Sequence, residues 1–210
     1  MPKRDRPSLF YRLVVLTAKP VMYGLYRLQA DGFENIPATG GFVLSANHVS
    51  NFDPWPLGVP IGSKHYLRHM AKSELYWRPM KWAVDAGGGF PVKRGERDTK
   101  AMETAVELAR KGDAVVMFPE GTRRKKGLRK KWEARAHTGA ARIALEAGVP
   151  LVPAAIAGTD RLARLGKLRV RYGPPIRTDD LQGLDEHEAA QLATERLMEA
   201  IRRMEAELEQ

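Results

Sequence analysis

Cysteine is absent from the 210 residues, which excludes both a disulfide framework and a thiolate-held metal centre. No uninterrupted apolar stretch reaches the roughly 20 residues that a membrane-spanning helix needs. The best candidate, residues 7–28, is broken by Arg12, Lys19 and Arg27, and Pro20 would kink a helix there. No small-residue cleavage site follows it, so a secretory signal is a poor fit as well. Catalytic signatures are missing in turn. No G-x-S-x-G occurs, "GVPIGSK" lacks the phosphate-loop spacing, and "GGGFPV" is not a dinucleotide fingerprint. His65 and His69 have neither an intervening glutamate nor an obvious third ligand, so they make a weak zinc pair.

Acidic residues are in short supply. Asp and Glu number 25 against 35 Lys and Arg, leaving a formal charge of +10 that favours an anionic partner. The excess is concentrated in "RRKKGLRKK" (123–131), seven basic residues in nine positions. Aromatic residues do not interleave this run as a base-stacking platform would require, and no nucleic-acid module is recognisable. Such a run can also be a solvated loop.

The chain has the length of one domain with a substantial core. "GFVLSA", "DAVVMF" (strand 114–118) and "VPLVPAAIAG" read as buried strands, and "KLRVRY" alternates as a half-exposed one. "HYLRHMAK" is a further strand candidate. "TKAMETAVELARKG" and "TGAARIALEAG" are helical in pattern, closed by Gly112 and Gly148. "SELYWRPMKWAVDA" predicts a helix with Ser73 as N-cap and a break at Pro79, and "ADGFENIPATGG" a turn-rich connector. Residues 185–210 predict a last helix whose Leu197, Ile201, Met204 and Leu208 form a docking stripe. Alternation of strand and helix implies an α/β fold with a largely parallel sheet flanked by helices. The expected organisation is an N-terminal helical segment (1–30), an α/β domain (31–178) and a C-terminal docking helix of the same domain (179–210). Aromatic and aliphatic residues mixed with arginine and lysine suit the first segment to a membrane interface; an amphipathic helix packed on the domain is the alternative.

In such sheets ligands gather at the carboxyl ends of strands. "NHVSNFD", "FPEGTRR" and "GTDR" each follow a strand, so they are expected to converge. His48 and Asp53 lie five positions apart in the first of these. A neutral imidazole can take a proton from a hydroxyl, and a carboxylate on its other nitrogen fixes the tautomer and stabilises the imidazolium. With no serine elbow present, the attacking hydroxyl can belong to the substrate.

"NHVSNFD" resembles the H-x4-D motif of the glycerolipid acyltransferase family. "GGFPVKR", "FPEGTR" and "VPLVPAAIAG" resemble the other three blocks of that family, in the same order, over roughly residues 32–175. The resemblance implies that His48 is the general base and Asp53 its orienting partner. It further implies that Arg94, Glu120, Gly121, Thr122 and Arg123 bind the glycerol-phosphate part of a 1-acylglycerol-3-phosphate acceptor. Arginine forks onto phosphate and glycine lets backbone amides approach an anion, whereas Glu120 suits a substrate hydroxyl or an arginine better than a phosphate. The implied donor is acyl-CoA or acyl-carrier protein, with no metal or prosthetic group as cofactor. The implied location is peripheral or monotopic, on an anionic membrane surface at the cytoplasmic face. Lys93, Arg124 and His137 depart from residues frequent in the family, which bears on the acceptor more than on the chemistry.

Overall fold

A computed structural model describes residues 7–78, 80–92, 98–121 and 136–210. The apolar runs become strands: β1 (Gln29–Asp31), β2 (Phe42–Ala46), β3 (Leu67–Lys72), β4 (Gly89–Val92), β5 (Ala114–Met117), β6 (Leu151–Ala157) and β7 (Arg169–Tyr172). Among them run the helices α1 (Leu9–Lys19), α2 (Pro54–Ile61), α3 (Met80–Ala86), α4 (Thr99–Arg110), α5 (Gly139–Ala147) and α6 (Glu186–Glu209). The strands form one seven-stranded sheet in the order β1-β7-β6-β2-β5-β3-β4. Every neighbouring pair is parallel except β6–β7. The chain is therefore an α/β fold with a largely parallel sheet, as the alternating pattern implies.

Side-chain alternation divides the core between the two faces of the sheet. Val43, Val115 and Leu151 point to one face, where Ala105, Val106 and Ala109 of α4, Ile143 of α5 and Leu197 and Ile201 of α6 cover them. Phe42, Leu44, Val116, Val152 and Ile156 point to the other, under Leu57, Val59 and Ile61 of α2 and Met22 and Leu28 from the N-terminal segment. Burial on both faces explains why β2 and β6 read as near-continuous apolar runs while β7 alternates. Pro153 is unusual inside a central strand. Its carbonyl accepts the Gly173 amide at 2.8 Å, and the bond that its missing N–H cannot return falls just beyond the end of the β6–β7 ladder. A side chain at Gly173 would meet Met204 Sδ at 2.9 Å and the Pro153 ring at 3.1 Å.

The N-terminal segment is part of this packing. Ser8 caps α1 by accepting the Tyr11 amide, and Pro20 begins a wide π-type turn, Pro20–Leu25. Tyr11 and Val15 face inward. The Tyr11 ring sits edge-on to Tyr66 at 4.9 Å, and its hydroxyl accepts the Leu67 amide at 3.4 Å. Burial pushes the Tyr11 phenol up to about 12. Leu9, Leu13 and Leu16 lie on the opposite, exposed side. Among the described residues no helix is long and apolar enough to cross a membrane.

One local expectation changes, and two segments gain definition. The connector after residue 28 opens with β1, which pairs with β7 and carries the sheet to its edge. The helical pattern expected from Ser73 with a break at Pro79 divides there: a 3-10 turn, Ser73–Leu75, precedes it and α3 follows. A proline at position 79 has no amide to donate, so a helix starts after it more readily than it runs through it. "PWPLGVPIGS", which has no clear periodicity, contains α2, begun by Pro54 where a missing amide costs nothing. The docking stripe of α6 is buried as its spacing predicts, with Asp185 as N-cap.

Candidate active site

β2 stands between β6 and β5, and all three run parallel, so the segments leaving their carboxyl ends are neighbours. The chain passes from β2 through α2 to β3 on one side, and from β5 through α5 to β6 on the other. This reversal of winding at β2 is where open sheets place ligands.

Asn47, wholly buried, controls how the chain leaves β2. Its side-chain oxygen accepts the Ile156 amide at 2.8 Å, and its nitrogen donates to the Ile156 carbonyl at 2.9 Å and to Glu205 Oε1 of α6 at 3.3 Å. The amide thus mimics one more strand residue beside β6 and frees the backbone to turn away. His48 follows. Its Nδ1 lies 2.8 Å from Asp53 Oδ2. The same carboxylate oxygen accepts the amides of Val49 at 2.7 Å and Ser50 at 2.8 Å. The four intervening residues close into a small loop around the carboxylate, tightened by the Asp53 amide on the Ser50 carbonyl.

Asp53 is fully buried and His48 is 7% exposed. A carboxylate that collects three donors on one oxygen acts as an acceptor. It therefore holds the proton on Nδ1 and leaves Nε2 with a free lone pair. Phe118, the residue after β5, stacks on the imidazole with ring centroids 4.1 Å apart and 19° between planes. Hydrogen bond and stack together leave the ring no freedom to turn. Such a pair can accept a proton from a hydroxyl at Nε2 and return it to a leaving group.

The turn after β5 brings the third block to the same place. The Gly121 amide donates to the Phe118 carbonyl at 3.0 Å, and Gly121 has a φ of +67°. Glu120, just before it, is buried. His137 closes over the turn: its amide donates to the Pro119 carbonyl at 2.8 Å, and a side chain on Gly121 would come within 2.6 Å of its ring. After β6, Gly158 turns the chain with a φ of +93°, and the Thr159 hydroxyl is buried with no hydrogen bond among the described residues. On the other side of the His48 loop, Phe52 and Trp55 join Val14, Thr17, Ala18, Val21 and Met22 to line an open apolar cleft of about 280 Å³.

The structure thus brings together His48, Asp53 and the turn that carries Glu120 and Gly121. Arg94, Thr122 and Arg123, like the basic run 123–131, fall outside the described residues. Two residues of the site escape a reading by spacing. Asn47 looks like one more turn-former in "NHVSNFD", and Phe118 like the last apolar residue of a strand. Their roles depend on β6 and β5 lying on either side of β2. His65 and His69 form no metal site with a third ligand among the described residues. His65 rests edge-on against Phe42 at 5.1 Å.

Known proteins resemble this chain in sequence and in fold. A model of the family described as Acyltransferase matches residues 27–157, which include His48, Asp53, Phe118, Glu120, Gly121 and His137 and stop just short of Gly158 and Thr159. The chain is 33% identical over 183 residues to a 1-acyl-sn-glycerol-3-phosphate acyltransferase of Bacillus subtilis, a match covering 84% of this chain and 87% of that one. An Escherichia coli protein of the same name is 31% identical over 154 residues, covering 65% of this chain and 57% of its own length. The crystal structure of the 1-acyl-sn-glycerophosphate (LPA) acyltransferase of Thermotoga maritima matches with a TM-score of 0.66 at 27% identity, over 92% of this chain and 78% of that one. In sequence and in fold, this chain belongs to the acyltransferase family.

Proposed function

We propose that the protein transfers a fatty acyl group from an acyl thioester, acyl-CoA or acyl-carrier protein, to the free hydroxyl of 1-acyl-sn-glycerol-3-phosphate, forming phosphatidate for phospholipid biosynthesis. The observation that carries this reading is the His48–Asp53 pair, held at 2.8 Å with no hydrogen bond to Nε2 among the described residues, beside the Phe118–Gly121 turn. Relatives that bear the acyltransferase name supply the choice of acceptor.

In this mechanism the acceptor hydroxyl oxygen attacks the thioester carbonyl carbon while His48 Nε2 takes its proton. Asp53 stabilises the imidazolium through Nδ1. The tetrahedral intermediate collapses by breaking the carbon–sulfur bond, and His48 returns the proton to the departing thiol. A thioester is activated already, so neither a protein nucleophile nor a metal ion enters the scheme. Arg94 and Arg123 would meet the acceptor phosphate, with Gly121 and Thr122 nearby; Glu120 would hold a hydroxyl or an arginine. The outward face of α1 would rest in the membrane interface at the cytoplasmic side, placing the site beside its lipid substrate.

The test is thiol release from a long-chain acyl-CoA, measured with and without 1-acylglycerol-3-phosphate and beside His48→Ala. Release that needs both acceptor and His48 is the expected result. Release without acceptor would replace the transferase by a thioester hydrolase. Activity only with acyl-carrier protein would move the donor and leave the chemistry intact.

A further inference from the structure

Apolar exposure on this molecule is not confined to α1. Trp77 and Trp82, just before and within α3, are 56% and 65% exposed, with Met80 between them also exposed. Phe10 of α1 meets Trp82 with ring centroids 4.8 Å apart, so the outward side of α1 and the α3 region form one continuous surface. On a monomer in water, large aromatic side chains grouped this way are unusual and mark a contact site. The charged groups on the same two segments are Arg12, Lys19, Arg78 and Lys81 against Glu74 and Asp85, four cations to two carboxylates. Lys81 and Asp85 pair with each other at 3.0 Å, which leaves Arg12, Lys19 and Arg78 to face outward against Glu74 alone.

We propose that Trp77 and Trp82 form a second membrane contact, alongside α1, that seats the α3 region at the headgroup level of an anionic bilayer. The inference rests on the lipid substrate proposed above. Two observations choose a bilayer over a second copy of the chain. The cationic excess would repel its own image across a dimer interface but attracts acidic headgroups. Indole rings, apolar with one N–H donor, suit the boundary between headgroup and hydrocarbon. Contacts at two segments, α1 and α3, would also fix the orientation of the domain on the membrane, which one helix alone leaves free to roll.

The experiment is sedimentation of the full chain with phosphatidylcholine vesicles containing about a third phosphatidylglycerol, without substrate. It compares wild type with Trp77→Ala/Trp82→Ala and with Leu184→Ala, an exposed leucine elsewhere. The double variant is expected to lose roughly tenfold or more in partition, each buried apolar side chain being worth about that factor, and Leu184→Ala to lose nothing. Trp77→Phe/Trp82→Phe, which preserves the packing on Phe10, covers the case of a double variant that fails to fold. In vesicles with brominated acyl chains, it should lose most of the tryptophan quenching seen with wild type. Unchanged partition and unchanged quenching would overturn the proposal. So would a wild-type dimer that these substitutions dissociate, because the surface would then belong to a second copy. Partition through Trp77 and Trp82 by a protein without acyl transfer would overturn the proposed reaction alone. Acyl transfer in detergent by a protein whose partition ignores both tryptophans would overturn this contact alone.

Discussion

The carboxyl end of the sheet and the outer side of α1 and α3 invert the usual distribution of side chains in opposite ways. At the sheet end, polar groups are buried: Asn47, His48, Asp53, Glu120 and Thr159 all lie inside. On the outer side, leucines and tryptophans stand in the open. Neither arrangement favours stability by itself, since a buried polar group must recover its lost hydration and an exposed apolar one forgoes burial. At the sheet end part of the recovery is visible bond by bond, in the amide pair of Asn47 with Ile156 and the three donors on Asp53 Oδ2, while Asp53 Oδ1 and the Thr159 hydroxyl find no hydrogen bond among the described residues. On the outer side these leucines and tryptophans stay exposed, with nothing among the described residues covering them. The difference separates side chains held in place by hydrogen bonds from the surface proposed above to meet a membrane.

The comparison breaks most visibly at His48. Replacing it by alanine should lower kcat by roughly a hundred- to ten-thousandfold, the range for a general base, in a steady-state assay, with the unfolding transition retained. A loss below tenfold would remove His48 from the proton path. Asn47→Ala acts on the buried scaffold. It strands the Ile156 amide and carbonyl and should cost about 2–4 kcal/mol in denaturant unfolding, with a further fall in kcat as His48 loses its fixed exit from β2.

A third prediction concerns His69 in β3. Burial, reinforced by the neighbouring Arg68 charge, lowers its pKa to about 4. The folded protein therefore keeps this imidazole neutral where the unfolded chain would protonate it. Its contribution is complete above about pH 6.5 and is lost as pH falls towards 4. Up to about 3 kcal/mol of unfolding free energy should disappear across that window. His69→Gln should flatten the profile, and an unchanged slope would show that another group carries it.

Gly121→Ala is expected to be milder, about 1–2 kcal/mol, because a left-handed φ and the His137 ring both oppose a side chain there. Its acceptor KM should rise more than its stability falls; the reverse would make the turn structural only. The smallest effect on folding belongs to Leu13→Glu/Leu16→Glu, within about 0.5 kcal/mol of wild type. The same pair should clearly weaken vesicle binding. Surface substitutions are sharper than deleting residues 1–30, which would strip Met22 and Leu28 from the core and most of β1 from the sheet edge.

Much of this was legible along the chain. "NHVSNFD" and "FPEGTR" announce themselves by residue type and order, and β2, β5 and β6 by unbroken apolar runs that only a doubly covered sheet explains. The site was less legible where a residue acts across strands. Asn47 and Phe118 have no local pattern that separates them from ordinary turn and strand residues. The α3 surface is hidden for a related reason: "SELYWRPMKWAVDA" has a helical pattern, but whether its tryptophans face the core or water depends on what packs beside them.

What the sequence determined by itself was the local chemistry: an imidazole and a carboxylate within one loop, a glycine that can take a left-handed φ, a proline that begins α2. These follow from short-range sterics and hydrogen-bonding capacity, which need no distant partner. Tertiary structure alone decided that β6 and β5 flank β2. That placement sets Ile156 opposite Asn47 and Phe118 against His48, and it turns two polar residues in a loop into an imidazole of fixed orientation. The physical reason is that strand order is settled by which faces can be buried together, a property of the whole sheet that no single segment contains.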